Sequence, residues 1–174
     1  MSLMSLPARH ILVAVLIAAL AACQTTPGPS SRSEGSADVA TARTGAAGTG
    51  LTARMNAVRS AAGRAPVQRS ARLDAIARAH ARDMARRNYF DHRSPEGQGL
   101  PDRLRARGYS YCYAAENIAW GRRSEAETFA GWMASPSHRR NILNPRAERF
   151  GHAAVPDPDG SHQMLWVMVL AAGC

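Results

Sequence analysis

Residues 164–171 read M-L-W-V-M-V-L-A, eight apolar positions without a polar break. A strand with one wet face alternates polar and apolar residues. An unbroken run of this length therefore reads as a central strand covered on both faces. Just upstream lies a second apolar run, 150–155, and the two are separated by P-D-P-D-G at 156–160. Pro, Asp and Gly in that order are turn chemistry, so the pair reads as two strands about a turn.

Upstream of residue 150 the period is helical. Leu51, Met55 and Val58 recur at helical spacing, and Gly63 follows as a stop. Ser70 is placed to cap a second helix whose apolar face is Leu73, Ile76, Ala77, His80 and Met84. The pattern breaks over 88–99, where S-P-E-G at 94–97 marks a turn. Pro101 suits the first turn of a short helix that Gly108 ends. Ser124 and Glu127 have capping-box spacing, ahead of the apolar Phe129, Trp132 and Met133. Ser135-Pro136 starts a further short helix over 137–143, which Asn144-Pro145 stops. Helices early and strands late predict an α+β domain, with helices packed on a small antiparallel sheet.

The 174 residues divide into three stretches. Residues 1–22 have the layout of a secretory signal: Arg9 and His10, then an apolar run too short to span a bilayer, then L-A-A-C at 20–23. That ending resembles the lipobox of bacterial lipoproteins, which implies lipidation at Cys23. A plain cleaved signal peptide or an uncleaved anchor is the alternative. Residues 23–50 are rich in Ser, Thr, Gly, Ala and Pro and read as a flexible tether, reaching roughly 25–30 Å. Residues 51–174 form the folded domain.

That domain carries nineteen arginines, no lysine and eleven acidic residues. In an exported protein a basic balance points to anionic envelope components or lipids and not to nucleic acid. The arginines are scattered, including Arg54, Arg59, Arg64, Arg72 and Arg78, as on an ordinary solvated helix surface. With Cys23 lipidated, Cys112 and Cys174 remain. In an oxidising compartment two thiols most simply pair, closing a loop whose constraint contributes roughly 4 kcal/mol. Two buried free thiols are the alternative.

Chemistry is not advertised locally. No H-E-x-x-H, C-x-x-C, G-x-S-x-G or phosphate loop is present. Any site is assembled from distant residues. His92 lies in Y-F-D-H-R-S-P-E-G, beside a turn. His138 lies in the first turn of a short helix, where the positive dipole end favours a neutral imidazole. His80 falls on an apolar face and reads as a core histidine, whereas His152 and His162 read as surface residues. Glu116 sits in A-A-E-N-I-A-W-G at 114–121, a carboxylate among apolar and amide neighbours. Such a group needs a cation, a metal or hydrogen bonds.

Four blocks, M-N-A-V-R-S-A-A-G at 55–63, H-A-R-D-M-A-R-R-N-Y-F-D-H-R-S-P-E-G at 80–97, A-A-E-N-I-A-W-G at 114–121 and G-W-M-A-S-P-S-H-R-R-N-I-L-N-P at 131–145, follow one another in order. Together they resemble the CAP superfamily of cysteine-rich secretory, antigen 5 and pathogenesis-related proteins, in its bacterial SCP-like branch. The resemblance implies a three-layer α-β-α sandwich with a wide cleft. It implies a cleft built on His92, Glu116 and His138, with Ser135 where the family has a second glutamate. His92 and His138 would hold a divalent metal such as zinc, with Glu116 orienting them.

Three readings of function follow. One is a monomeric, lipid-anchored envelope protein, outer-membrane bound and facing the periplasm or cell surface, whose cleft binds a metal, a lipid or a wall-derived ligand. Another is a metal-dependent hydrolase of peptide or wall bonds with Glu116 as general base, although no catalytic residue is otherwise assigned. An envelope scaffold without a small ligand is the third reading, and Glu116 pinning loop amides is its structural counterpart.

Overall fold

The computed structural model describes residues 50–159 and 163–174. The predicted leader, Cys23, the tether up to residue 49 and His162 lie outside the described residues. Among those described, the chain runs α1 (Leu51–Ala61), β1 (Gln68–Arg69), α2 (Ala71–Arg87), α3 (Leu100–Ala106), β2 (Tyr113–Arg122), α4 (Glu125–Ala134), α5 (Pro136–Ile142), β3 (Arg149–Pro156) and β4 (Met164–Ala172).

The unbroken apolar run forms β4, and its neighbours explain its composition. The sheet order is β1-β3-β4-β2, so β4 is flanked on both edges. Both of its faces are also covered. Leu165, Val167, Val169 and Ala171 pack with Leu73, Ile76, Ala77, Ala81 and Met84 of α2 and Leu104 of α3. The alternate residues Trp166, Met168 and Leu170 pack with Leu51 and Met55 of α1, Phe129 and Trp132 of α4, and Ile142 of α5. Side chains of a strand point alternately to its two faces, so one apolar run serves two cores. The result is a three-layer α-β-α sandwich.

Two strands are not legible in the sequence. β2 pairs antiparallel with β4, Tyr113 opposite Ala172 and Trp120 opposite Leu165, and thereby forms one edge of the sheet. Its Glu116, Asn117 and Gly121 obscure the apolar pattern. β1 has only two residues and pairs parallel with β3, so the sheet is not purely antiparallel.

The helix signals act through identifiable bonds. Ser70 Oγ accepts from the Leu73 amide at the start of α2. Ser124 Oγ accepts from the Glu127 amide, but Glu127 does not reciprocate to Ser124: its carboxylate accepts from the Arg123 amide. α2 lies close on β3, and Gly151 is the reason. A Cβ there would lie 2.2 Å from the Asp74 amide nitrogen, so no larger residue fits without moving the helix. Cys112 and Cys174 are joined in a disulfide, with Cα atoms 4.9 Å apart. It clips the start of β2 to the residues after β4, where the Cys112 amide also donates to the Ala172 carbonyl.

Arg59 departs most sharply from its expected place. It is not on a solvated surface but fully buried. Its Nε donates to the Ala65 carbonyl at 2.7 Å, Nη1 to those of Ile142 and Asn144 at 2.7 and 3.0 Å, and Nη2 to that of Ala147 at 3.1 Å. The planar guanidinium thus satisfies carbonyls from two distant irregular segments at once. Helical spacing does put Arg59 on the buried face, one turn after Met55, and only its residue type suggests a solvated place. Replacing Arg59 with Met keeps much of the volume but leaves those carbonyls without donors. We expect Arg59→Met to cost about 3 kcal/mol or more in urea unfolding, and Arg59→Lys to cost less. A change below about 1 kcal/mol for Arg59→Met would contradict this role.

Candidate functional site

The site begins with the alternation of β2. Glu116 shares a parity with Ile118, which packs in the core beneath α2 and α3. Asn117 points to the opposite face, toward α5. Consecutive residues therefore address different layers of the sandwich.

On the α2–α3 side, Glu116 is buried and ion-paired. Arg103 of α3 donates from Nη2 to both carboxylate oxygens, at 2.9 and 2.8 Å. His92 donates from Nδ1 to Oε1 at 2.9 Å. His80 Nε2 lies 3.8 Å from the same oxygen and 3.0 Å from the Asp91 carbonyl. His80 is thus a core histidine, as its helical face suggests, and also a wall of the carboxylate's pocket. Arg103 does more than neutralise. Its Nη1 donates to the carbonyls of His92 and Gln98 at 3.0 and 3.3 Å, which holds the 88–99 loop against α3. Glu116 therefore does not pin loop amides directly; Arg103 holds the loop by its carbonyls.

On the other face, Asn117 is fully buried. Its Nδ2 donates to the His138 carbonyl at 3.2 Å, and its Oδ1 accepts from Asn141 Nδ2 at 2.8 Å. The same Asn141 nitrogen reaches the Glu116 carbonyl at 3.3 Å. The Ile118 carbonyl, two residues on, accepts from Trp132 Nε1 at 3.2 Å. Side chains of α4 and α5 thus occupy the outer edge of β2, where a further strand would otherwise add.

This geometry sorts the expected residues. His92 and Glu116 are brought together. His138 is held by its backbone to Asn117, and its ring nitrogens have no hydrogen-bond partner among the described residues. It lines a hollow of about 300 Å³ with Ser135, Ile118, Trp120 and Trp132. Ser135 Oγ lies 3.2 Å from Ser137 Oγ, not from a histidine. Sequence reasoning misses Arg103. The buried carboxylate announces that a cation is needed, but arginines are plentiful on either side of it, and sequence alone does not choose among them. His152 is not a surface residue. It is mostly buried in β3, with Nε2 3.2 Å from Glu125 Oε2.

The histidines titrate in opposite directions. The hydrogen bond to Glu116 raises the pKa of His92 above the usual 6.5, against partial burial. Burial lowers that of His138, assisted by the charge of His92, so its ring is neutral at pH 7. Burial likewise lowers His80. A raised histidine contributes stability below its unfolded pKa and loses it as pH rises through the folded value. A lowered one contributes above the unfolded pKa and loses it as pH falls through the folded value.

Two measurements test this arrangement. In an NMR titration His92 should have its midpoint above 6.5 and His138 below it, and Glu116→Gln should bring His92 down. A His92 midpoint at or below that of His138 would refute the pairing. Arg103→Met should cost about 3 kcal/mol, because it strands a buried carboxylate. Adding Glu116→Gln to that variant should recover part of the loss, and strict additivity of the two changes would show that they do not interact.

Comparison with known proteins fits this fold. The CAP family, described as the cysteine-rich secretory protein family, matches residues 52–170. The uncharacterized protein YkwD of Bacillus subtilis (strain 168) is 43% identical over 96 residues, covering 55% of this chain and 37% of that protein. The uncharacterized membrane protein YlbC of the same organism is 36% identical over 69 residues, covering 40% of this chain and 20% of that protein. The chain thus spans well under half the length of these curated relatives. Among solved structures, an extracellular protein containing an SCP domain from Bacillus anthracis str. Ames superposes with a TM-score of 0.63 at 26% identity, covering 69% of this chain and 38% of that one. An outer surface protein from Borrelia burgdorferi superposes with a TM-score of 0.64 at 17% identity, covering 71% of this chain and 90% of that one, a likeness of fold. With more than half of its length matched and the same sandwich built around its sheet, the chain belongs to the CAP, or cysteine-rich secretory protein, family.

Proposed function

We propose that this chain is an exported, lipid-anchored envelope protein whose CAP domain is a binding module, its cleft taking a divalent metal together with a wall-derived or lipid ligand. The observation that carries binding over hydrolysis is the state of Glu116. Both of its oxygens accept from Arg103, and one also accepts from His92. A carboxylate so engaged supports its neighbours and is poorly placed to take a proton from water. Among the described residues no serine hydroxyl is bonded to a histidine, so nucleophile, base and orienter are not assembled.

The donor set suits a metal held by two imidazoles. Glu116 holds the Nδ1–H of His92, the arrangement by which a carboxylate fixes the tautomer of a metal-binding histidine and leaves Nε2 for the ion. His138 supplies a second, neutral ring, without a protein partner among the described residues. Among those residues no group of three or more His, Cys, Asp or Glu is gathered for a metal, so the remaining positions would fall to water or ligand. When bound, the ion would supply a Lewis-acidic anchor for a ligand oxygen.

Export is supported by the leader-like N-terminus, by the Cys112–Cys174 disulfide, and by the similarity to an extracellular Bacillus anthracis protein. Anchoring rests on L-A-A-C at 20–23. Mass spectrometry of the native protein should find an acylated Cys23 as its first residue, and an unmodified N-terminus would refute the anchor.

Zinc should raise the melting temperature of the purified protein, since a ligand specific to the folded state stabilises it by mass action. At one hundred times the dissociation constant the gain is about 2.7 kcal/mol, a shift of several degrees. His92→Ala and His138→Ala should each abolish the shift, and acid pH should weaken it as the imidazoles protonate. Absence of any shift in the wild type, or its persistence in both variants, would exclude the two-histidine site.

A further inference from the structure

Beside the histidines lies a feature that metal binding does not use. Phe90 and Trp120 are the exposed large apolar residues of the described chain, 48% and 51% accessible. They are neighbours in space, because both line the hollow that His138 shares and a second hollow of about 300 Å³ on the α2 side. The two hollows meet at this aromatic pair and form one open groove. Each is at the lower end of volumes that hold a small ligand. Trp120 is also held in place, since its indole N–H donates to Asp157.

The groove is mixed in chemistry along its length. Asp157 and Asn88 border one end. Arg122, Ser135 and the imidazole of His138 border the other. An acyl chain gains most from an enclosed apolar sleeve, and here it would strip water from these polar groups without replacing their bonds. A peptide could dock by adding a strand to β2, but the carbonyls of Glu116 and Ile118 on that edge are already occupied by Asn141 and Trp132. A chain of rings with one apolar face and hydroxyl groups at its margin matches both the flat aromatic surfaces and the polar border. Charge does not select the occupant, since Asp157 and Asp159 line one end and Arg122 at the other is paired with Glu127 at 3.2 Å, so the match is to the rings and hydroxyl groups of a glycan.

We propose that the Phe90–Trp120 groove is a glycan subsite that stacks the pyranose rings of a wall-type aminosugar strand. This rests on the reading of the domain as a binding module and names the ligand class. The aromatic pair provides the stacking surface, and the polar groups at the two ends, Asp157 and Asn88 at one and Ser135 and His138 at the other, are placed to bond its hydroxyl groups.

Acrylamide quenching of tryptophan fluorescence reads the groove directly. Trp132 and Trp166 are buried, 2% and 7% accessible, so quenching reports mainly on Trp120. The full chain is titrated with soluble, uncrosslinked wall-glycan fragments, and separately with anionic phospholipid vesicles. Wall fragments should cut the quenching constant severalfold. By calorimetry Trp120→Ala should weaken their binding at least tenfold, Phe90→Ala less, and Trp120→Phe should restore most of it. Both side chains are exposed, so an unchanged melting temperature certifies the fold. Failure of the fragments to protect Trp120, protection by vesicles alone, or unaltered affinity in Trp120→Ala would overturn the proposal. The zinc shift is measured on the same samples. Its presence without glycan binding would overturn only the glycan subsite, and glycan binding without it would overturn only the two-histidine metal site.

Discussion

β4 has no face to give to water. That constraint organises the molecule. Eight successive apolar residues can be buried only if strands flank both edges and helices cover both faces. β3 and β2 supply the edges, α2 and α3 one cover, and α1, α4 and α5 the other. Each residue of β4 belongs to one core or the other by parity, so a one-residue slip would exchange the two cores. Gly151 of the adjacent strand then permits α2 to approach the sheet closely.

Two buried ionic groups are superimposed on this apolar plan, and they solve different problems. Arg59 is satisfied by backbone carbonyls from 65 and from 142–147 instead of by a carboxylate. Burial lowers its pKa, yet a guanidinium starting so far above neutral pH remains charged. Glu116 is answered by Arg103 and His92. In both cases the charge holds irregular chain that has little apolar surface of its own. Arg59 gathers the turn after α1 and the segment between α5 and β3. Arg103, through Glu116, gathers the loop that presents His92 and Phe90.

How much of this can be read from the sequence depends on whether the signal is local. Caps, helix faces and the two late strands are legible because each is stated by residues within a turn or two of one another. The Ser70 cap and the Leu73–Met84 face are examples. β2 is not legible as a strand, because Glu116 and Asn117 interrupt its apolar pattern. They are tolerated only through partners that lie 13 and 24 residues away in sequence, Arg103 and Asn141. His152 misleads for the same reason: a position near a turn looks exposed until α4 is laid over it. The E-N pair stands out as unusual in the sequence itself. Its meaning is divided between two faces of the sheet, and parity can assign those faces only once β2 is known to be a strand.

That division explains why the candidate site lies at this edge. A central strand buries both of its faces in apolar cores, as β4 does, and has no room for unpaired polar groups. An edge strand has one side free of ladder bonds, and here helices α4 and α5 close part of it with the side chains of Trp132 and Asn141. Closing an edge by side chains instead of by another strand leaves gaps between them. Into the margin of those gaps come His138 from α5 and the rings of Trp120 and of Phe90, the latter from the loop held by Arg103. The groups that anchor the site, Glu116 and Asn117, are consecutive in the chain and buried, so the two sides of the cleft are held in register by a single peptide unit. Movement of α5 relative to the 88–99 loop is therefore opposed by bonds on both faces of one strand, which fixes the side chains that α5 and the loop present to each other.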